Sequence, residues 1–237
     1  MVKFSKWLVL LLSITAGYST IARAIEVFPI IKDIKEETPR DNYITVKSMF
    51  HHDDRAEDNS SESQQYEFVT IDLFHIKNPG EAKEDMEKVL AAENPELVFS
   101  PTKLIIPYGE ERKIRIMPMR SVDHETVYRL RVRPSYPEQA LEKGKVRFAI
   151  GYDVLIRYLP AGKHTQKLEI SCDKNQWHLK ATGNVRSELR KMVIDGRIQT
   201  GSFNVYPEHS RTLKVNHRLA FEMDGKMQVY EQCQRKE

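Results

Sequence analysis

The chain has 237 residues, and its 37 Lys and Arg against 34 Asp and Glu leave a formal charge of +3 with His neutral. Lys3, Lys6 and Arg23 account for that excess, so the 213 residues from Ile25 onward balance at 34 basic against 34 acidic. This excludes the net basic charge of a nucleic-acid binder, and only two cysteines exclude a disulfide-dense scaffold, so the fold rests on hydrophobic cores in one large domain or two modest ones.

Met1 to Ala24 carries the pattern of a secretory leader. Lys3 and Lys6 precede an apolar run from Trp7 to Ile14, and Ala22-Arg23-Ala24 places small residues where signal peptidase would cut, after Ala24. The run is too short to span a bilayer, and nothing later is apolar enough to cross one. The expected product is a soluble exported protein beginning at Ile25.

Nearly everything that follows reads as strand. Ile25 to Lys32 and Tyr43 to Phe50 are short candidates separated by a polar turn, and His51 to Gln65 is a polar loop expected to be mobile. Tyr66 to Ile76 alternates, with Phe68, Thr70, Asp72 and Phe74 on one side and Val69, Ile71, Leu73 and His75 on the other. Glu84 to Ala92 has Met86, Val89 and Leu90 at i, i+3 and i+4 between Pro79-Gly80 and Asn94-Pro95, which predicts a helix. Pro101 separates strands at Leu97 to Phe99 and Lys103 to Ile106, and Pro107-Tyr108-Gly109 signals a turn. Ile114 and Ile116 alternate with Lys113 and Arg115. Tyr128, Leu130 and Val132 then alternate with Arg129, Arg131 and Arg133, a solvated strand face by expectation.

The stretch with most to say is Lys145 to Pro160, KVRFAIGYDVLIRYLP. Val146, Phe148, Ile150 and Tyr152 fall at every second position, and Val154 and Ile156 continue the register past the length of an ordinary strand. Two readings are open here. The strand is buried along its whole length, or its first half is an exposed apolar row held for another chain.

Pro160-Ala161-Gly162 then marks a hinge, followed by strands at Leu168 to Cys172, Trp177 to Ala181, Leu189 to Ile194, Phe203 to Tyr206, Thr212 to Val215, Arg218 to Phe221 and Lys226 to Tyr230. So many short strands with turn signals between them predict an all-β fold of Greek-key sandwiches. Cys172 and Cys233 would join the first strand of the second region to its last; the alternative is two free thiols.

Chemistry is sparse. His51-His52-Asp53-Asp54 has metal-ligand types without a third-ligand motif, and His75 on an apolar strand predicts a hydrogen-bonded, partly buried imidazole rather than a catalyst. Asn59-Ser60-Ser61 is a formal glycosylation sequence on a polar loop. No nucleophile elbow, zincin motif, P-loop or dinucleotide fingerprint occurs, so nothing calls for an enzyme, a metal or a cofactor.

LVFSPTKLIIPYGEERKIRI, VYRLRVRP and the long strand ending in LIRYLP resemble the periplasmic pilus chaperones of the chaperone–usher pathway. FPIIKDI, DVLIRYLP and TGNVR are similar to the branch serving class 5 (alpha-type) fimbriae. The resemblance implies two Ig-like β-sandwich domains joined at a hinge in a boomerang, spanning 25–160 with a long G1 donor strand and 161–237. It implies that Val146, Phe148, Ile150 and Tyr152 enter the groove of an incomplete fimbrial subunit through strand addition. Burying such a row is worth roughly 6–12 kcal/mol before ordering costs. Lys32 and Arg157 would grip the C-terminal carboxylate of the subunit. The family pattern places the second cation at Leu155, and Arg157 is the nearest basic residue; its alternative role is a structural ion pair. The implied partners are fimbrial subunits, an outer-membrane usher and, when free, a second copy through the donor strand, with no nucleic acid, small-molecule substrate, ATP or cofactor. A structural fimbrial subunit or adhesin is the competing reading, and a secreted Ig-like hydrolase a third.

Overall fold

The computed structural model describes residues 25–49, 66–135 and 150–236. The leader at Met1 to Ala24, the polar loop at His51 to Gln65, and Val146 and Phe148 lie outside the described residues.

The first sandwich opens with a strand that changes sheets. β1 (Ile25–Phe28) pairs antiparallel with β3 (Tyr43–Ser48), whereas β2 (Ile31–Ile34) pairs parallel with β10 (Tyr152–Tyr158). The single strand expected from Ile25 to Lys32 is therefore two. Pro29 has no N–H to give a ladder, and the chain turns there from one layer into the other. Joining β1 and β3 are β8 (Glu111–Pro118) and β6 (Leu97–Ser100), in the order β1-β3-β8-β6. The facing sheet runs β2-β10-β9-β4-β5, with β9 at Thr126–Pro134, β4 at Tyr66–Ile76 and β5 at Met86–Lys88; β7 (Lys103–Pro107) pairs with the start of β4. Period-two alternation aims Ile44, Val46 and Ile114 from one layer at Leu73, Leu130, Val154, Ile156 and Tyr158 from the other, and all are buried.

The helix predicted over Glu84 to Ala92 does not form. Met86 to Lys88 instead runs along the open edge of β4, with Ile76 opposite Met86 and Phe74 opposite Lys88, and Val89–Ala91 makes one 3-10 turn. Val89 alone of the three apolar residues is buried; Met86 and Leu90 are exposed. Nine residues between two prolines are too few for a helix without a core to lie on, while an edge with unpaired backbone groups was available to them.

Beyond Pro160 the second sandwich begins. One layer is β11 (Leu168–Asp173), β12 (Gln176–Ala181) and β16 (Ser210–Lys214). The other runs β14 (Arg197–Ile198), β13 (Ser187–Ile194), β17 (Arg218–Met223), β18 (Lys226–Glu231) and β19 (Gln234–Lys236), with β15 (Phe203–Val205) also on β13. Trp177, Leu179, Leu189, Val215, Leu219 and Phe221 fill the space between them. Cys172 and Cys233 form a disulfide that ties β11 to the turn after β18.

A buried ion pair and a cluster of backbone bonds fix the junction. Glu125 has its side chain fully buried, accepts from the backbone N–H of Arg186 at 2.8 Å and from its guanidinium at 3.1 Å, and its own N–H donates to the Asn184 carbonyl at 2.8 Å. The preceding residues explain the TGNVR stretch. Gly183 passes so close to the 165–167 backbone that a Cβ would lie 2.1 Å from the Thr165 oxygen. Asn184 then holds the linker, accepting from Thr165 N–H and donating to the Lys163 carbonyl.

Candidate functional site

The site grows out of β10. Its even-numbered side chains from Val154 to Tyr158 are core, and Tyr152, on the same side, packs partly against that core with its hydroxyl donating to the Ile25 carbonyl at 3.1 Å. Ile150 has the same parity and is 50% exposed. One row of side chains thus passes from fully buried to open within a few residues.

The backbone beside it is open too. Odd-numbered residues of β10 face β2: Leu155 N–H donates to the Ile30 carbonyl at 2.9 Å and Leu159 N–H to the Ile34 carbonyl at 3.1 Å. Pairing with β2 begins at Leu155 opposite Ile31, so the Asp153 backbone groups on that side have no strand partner among the described residues. Phe28, Ile30 and Ile31 flank the gap and are about half exposed. An unpaired edge next to exposed apolar side chains is a template for another strand.

The odd side chains of β10 make a second surface, facing the other domain. Leu155 packs with Ile76, Val127 and Tyr206, the last reaching in from the second sandwich. Around this patch stand three guanidinium groups, each already holding a carboxylate. Arg157 donates to Asp33 at 2.6 Å, Arg129 takes both oxygens of Glu84 at 2.6 and 3.0 Å, and Arg186 holds Glu125. Burial, then the Glu125 charge, pushes the Tyr206 hydroxyl up, and Arg186, Arg157 and Arg129 pull it back down.

Lys32 lies elsewhere. In β2, Ile34 points to the core and Asp33 to Arg157, which puts Lys32 on the core side, where its ammonium sits 5.8 Å from the Tyr43 ring. Lys32 and Arg157 are thus on opposite faces of β2 and β10. The solvated face expected for Arg129, Arg131 and Arg133 is instead a charge ladder: Arg131 takes both oxygens of Asp153 at 2.8 Å and Arg133 reaches Asp72 at 3.2 Å. Neighbouring strands and the 77–85 loop bring the acids that β9 does not show in its own sequence. His75 stacks on Tyr128 with centroids 4.8 Å apart, where a hydrogen bond was expected, and burial followed by Lys77 lowers its pKa. Among the described residues no three His, Cys, Asp or Glu are placed to hold a metal, and no helix is long and apolar enough to cross a membrane.

No family model matches the chain. It is 31% identical over 167 residues to the CS1 fimbrial B subunit of Escherichia coli, covering 63% of this chain and 69% of that protein. It is 27% identical over 177 residues to the CFA/I fimbrial A subunit of E. coli, covering 68% and 74%. Among solved structures, the class 5 fimbriae chaperone CfaA superposes with a TM-score of 0.66 at 23% identity, over 90% of this chain and 99% of that one. A chaperone–tip adhesin complex of CFA/I fimbriae biogenesis gives 0.63 at 22% identity over 87% and 97%, and the SafB chaperone in complex with the SafA pilin of Salmonella enterica gives 0.58 at 12% over 90% and 98%. The chain belongs to the family of the CS1 fimbrial B subunit, and its fold is that of the chaperone–usher fimbrial chaperones, class 5 included.

Proposed function

We propose that this protein is a periplasmic chaperone that completes unfinished fimbrial subunits with its tenth strand and delivers them to an outer-membrane usher. One observation carries the reading: a single row of side chains is core at Val154, Ile156 and Tyr158 yet half exposed at Ile150, beside a backbone edge that β2 leaves open. An Ig-like subunit lacking a strand would add its own edge there, gaining main-chain hydrogen bonds while Ile150, with Val146 and Phe148 before it, fills its groove. Each such side chain contributes roughly 1.5–3 kcal/mol, offset by several kcal/mol of ordering and association cost. Pairing and burial supply the free energy, so no turnover chemistry or cofactor is assigned.

Within this reading Met1 to Ala24 is the leader removed on export, and the Cys172–Cys233 bond supports an oxidising compartment. The units 25–160 and 161–237 act as two domains around the cleft. Arg157, on the cleft face, is better placed than Lys32, which faces Tyr43, to receive the C-terminal carboxylate of the subunit.

Co-expression with the fimbrial subunits and affinity capture from periplasm tests the assignment. The wild type should bring down a small β-rich subunit in one-to-one stoichiometry. Ile150→Asp or Phe148→Asp should cut that recovery at least tenfold while the melting curve of the chaperone is unchanged. Undiminished recovery with either variant would remove strand donation. The relatives' names favour a second reading, a subunit that itself enters the fibre. It predicts the chain in washed fimbriae, whereas a chaperone is absent from them.

A further inference from the structure

Glu84 opens the stretch whose spacing predicts a helix, and the fold gives it a different task. The loop that carries it, residues 77–85, is built rather than loose. Asn78 accepts from Asp85 N–H at 2.6 Å and donates to the Lys83 carbonyl at 3.0 Å, while Lys77 N–H donates to the Asp85 carbonyl at 2.8 Å. Pro79 is buried, and Gly80, at φ +94°, sits against the second domain, where an added Cβ would meet Arg211 at 3.3 Å, the Asn204 carbonyl at 3.5 Å and Tyr206 at 3.6 Å. The loop therefore enters the cleft between the sandwiches. At its end Glu84 presents both carboxylate oxygens to the fork of Arg129.

Arg129 occupies a particular place. It stands directly across from Leu155 on β10 and from Phe74 on β4, so it has an apolar neighbour on either side. Arg157 is on the same face, two residues along from Leu155. Both side chains of the Arg129–Glu84 pair are about three-quarters buried, at 27% and 25% exposed. A guanidinium so far out of water needs an anion, and a planar fork suits any carboxylate equally well. Replacing one carboxylate by another leaves that requirement satisfied, whereas removing Glu84 without a successor would leave a cation unpaired. The three residues of β5 that follow Glu84 are all exposed.

We propose that Glu84 is an internal stand-in for a carboxylate, holding Arg129 in the empty protein until the C-terminal carboxylate of an incoming subunit takes its place beside Arg157. This rests on the chaperone reading above and adds to it a second cation, Arg129, and a built-in competitor. Displacement frees the Glu84 side chain while Pro79 and Gly80 keep the loop in the cleft, so occupancy of the site and the position of that carboxylate are linked. A site filled by its own chain also discourages adventitious anions. Its apparent affinity is reduced by the fraction of time Glu84 occupies it.

The test uses the full mature chain and a twelve-residue peptide copying the C-terminus of the subunit recovered by affinity capture, made as free acid and as amide. Fluorescence anisotropy reads binding of each. The wild type should prefer the acid. Glu84→Gln should bind the acid about tenfold more tightly with the amide unchanged, an effect opposite to that of a merely structural loss. Arg129→Gln should lose most of the preference and keep only what Arg157 supplies, Arg129→Lys should keep more of it, and Arg131→Gln, one rung further along the ladder, should behave as wild type. Unchanged or weaker acid binding by Glu84→Gln, or a full preference kept by Arg129→Gln, would overturn the proposal while intact subunit still co-purifies with the wild type. If the wild type associates with neither peptide nor intact subunit, the chaperone reading falls with it.

Discussion

Asp195 shows how a single side chain can organise a turn. It follows β13, and its carboxylate accepts four hydrogen bonds: Oδ1 from the N–H of His217 and Arg218, Oδ2 from the backbone and side-chain N–H of Asn216, all at 2.8–2.9 Å. Those donors, Arg218 N–H foremost and Asn216 N–H next, hold its pKa at about 2 against an ordinary 3.8. A carboxylate whose folded pKa is depressed contributes stability above its unfolded pKa and loses it as the pH falls through the folded one. Asp195→Ala should therefore cost about 1–2 kcal/mol near neutrality, as loss of a cap does, and the gap to wild type should close between about pH 4 and pH 2. Urea denaturation at several pH values measures it; a gap independent of pH would mean that the charge plays no part. Nothing in the one-dimensional pattern announced this residue, because its donors come from 21–23 positions away.

Among the elements, β10 was the most legible and the 84–92 stretch the least. The period-two row predicts a strand from Val146 to Ile156, of which Tyr152 to Ile156 lies in β10; no helix could place those side chains on one face. Where the row stops being core could not be read, because that depends on where β2 begins its pairing, and β2 begins only after the chain has changed sheets at Pro29. The i, i+3, i+4 spacing of Met86, Val89 and Leu90 was genuine but decided nothing. An open β4 edge outweighed nine residues of weak helical preference. Arg129 was visible as a residue and invisible as a site. Its sequence neighbours suggest a wet face, and its meaning comes from Leu155, Phe74 and Glu84, which the fold alone puts beside it.

At the scale of the whole molecule, the proposed strand donation requires a fixed relation between the lending strand and the cleft that would receive a subunit's end. Glu125 and Arg186 supply it. With the Glu125 side chain fully buried and that of Arg186 19% exposed, removing the guanidinium strands a carboxylate at the junction, a change that costs about 3–5 kcal/mol in comparable buried pairs. Arg186→Ala should lower the denaturant midpoint accordingly and broaden the distribution of interdomain distances seen by small-angle scattering; an unaltered scattering profile would assign domain orientation to the packing of Tyr206 and Leu155 instead. The charge ladder on β9 contributes less, since its outer rungs are solvent-screened. Strand donation depends on β10 having a free edge that a guest strand occupies. Amide hydrogen exchange resolved to single residues tests this most directly, comparing Asp153 with Leu155 in the free protein and in the complex. Leu155 N–H, bonded to Ile30, should be protected in both states, and Asp153 N–H should exchange rapidly in the free protein and slow at least a hundredfold in the complex. Protection of Asp153 already in the free monomer, or no slowing in the complex, would contradict strand donation.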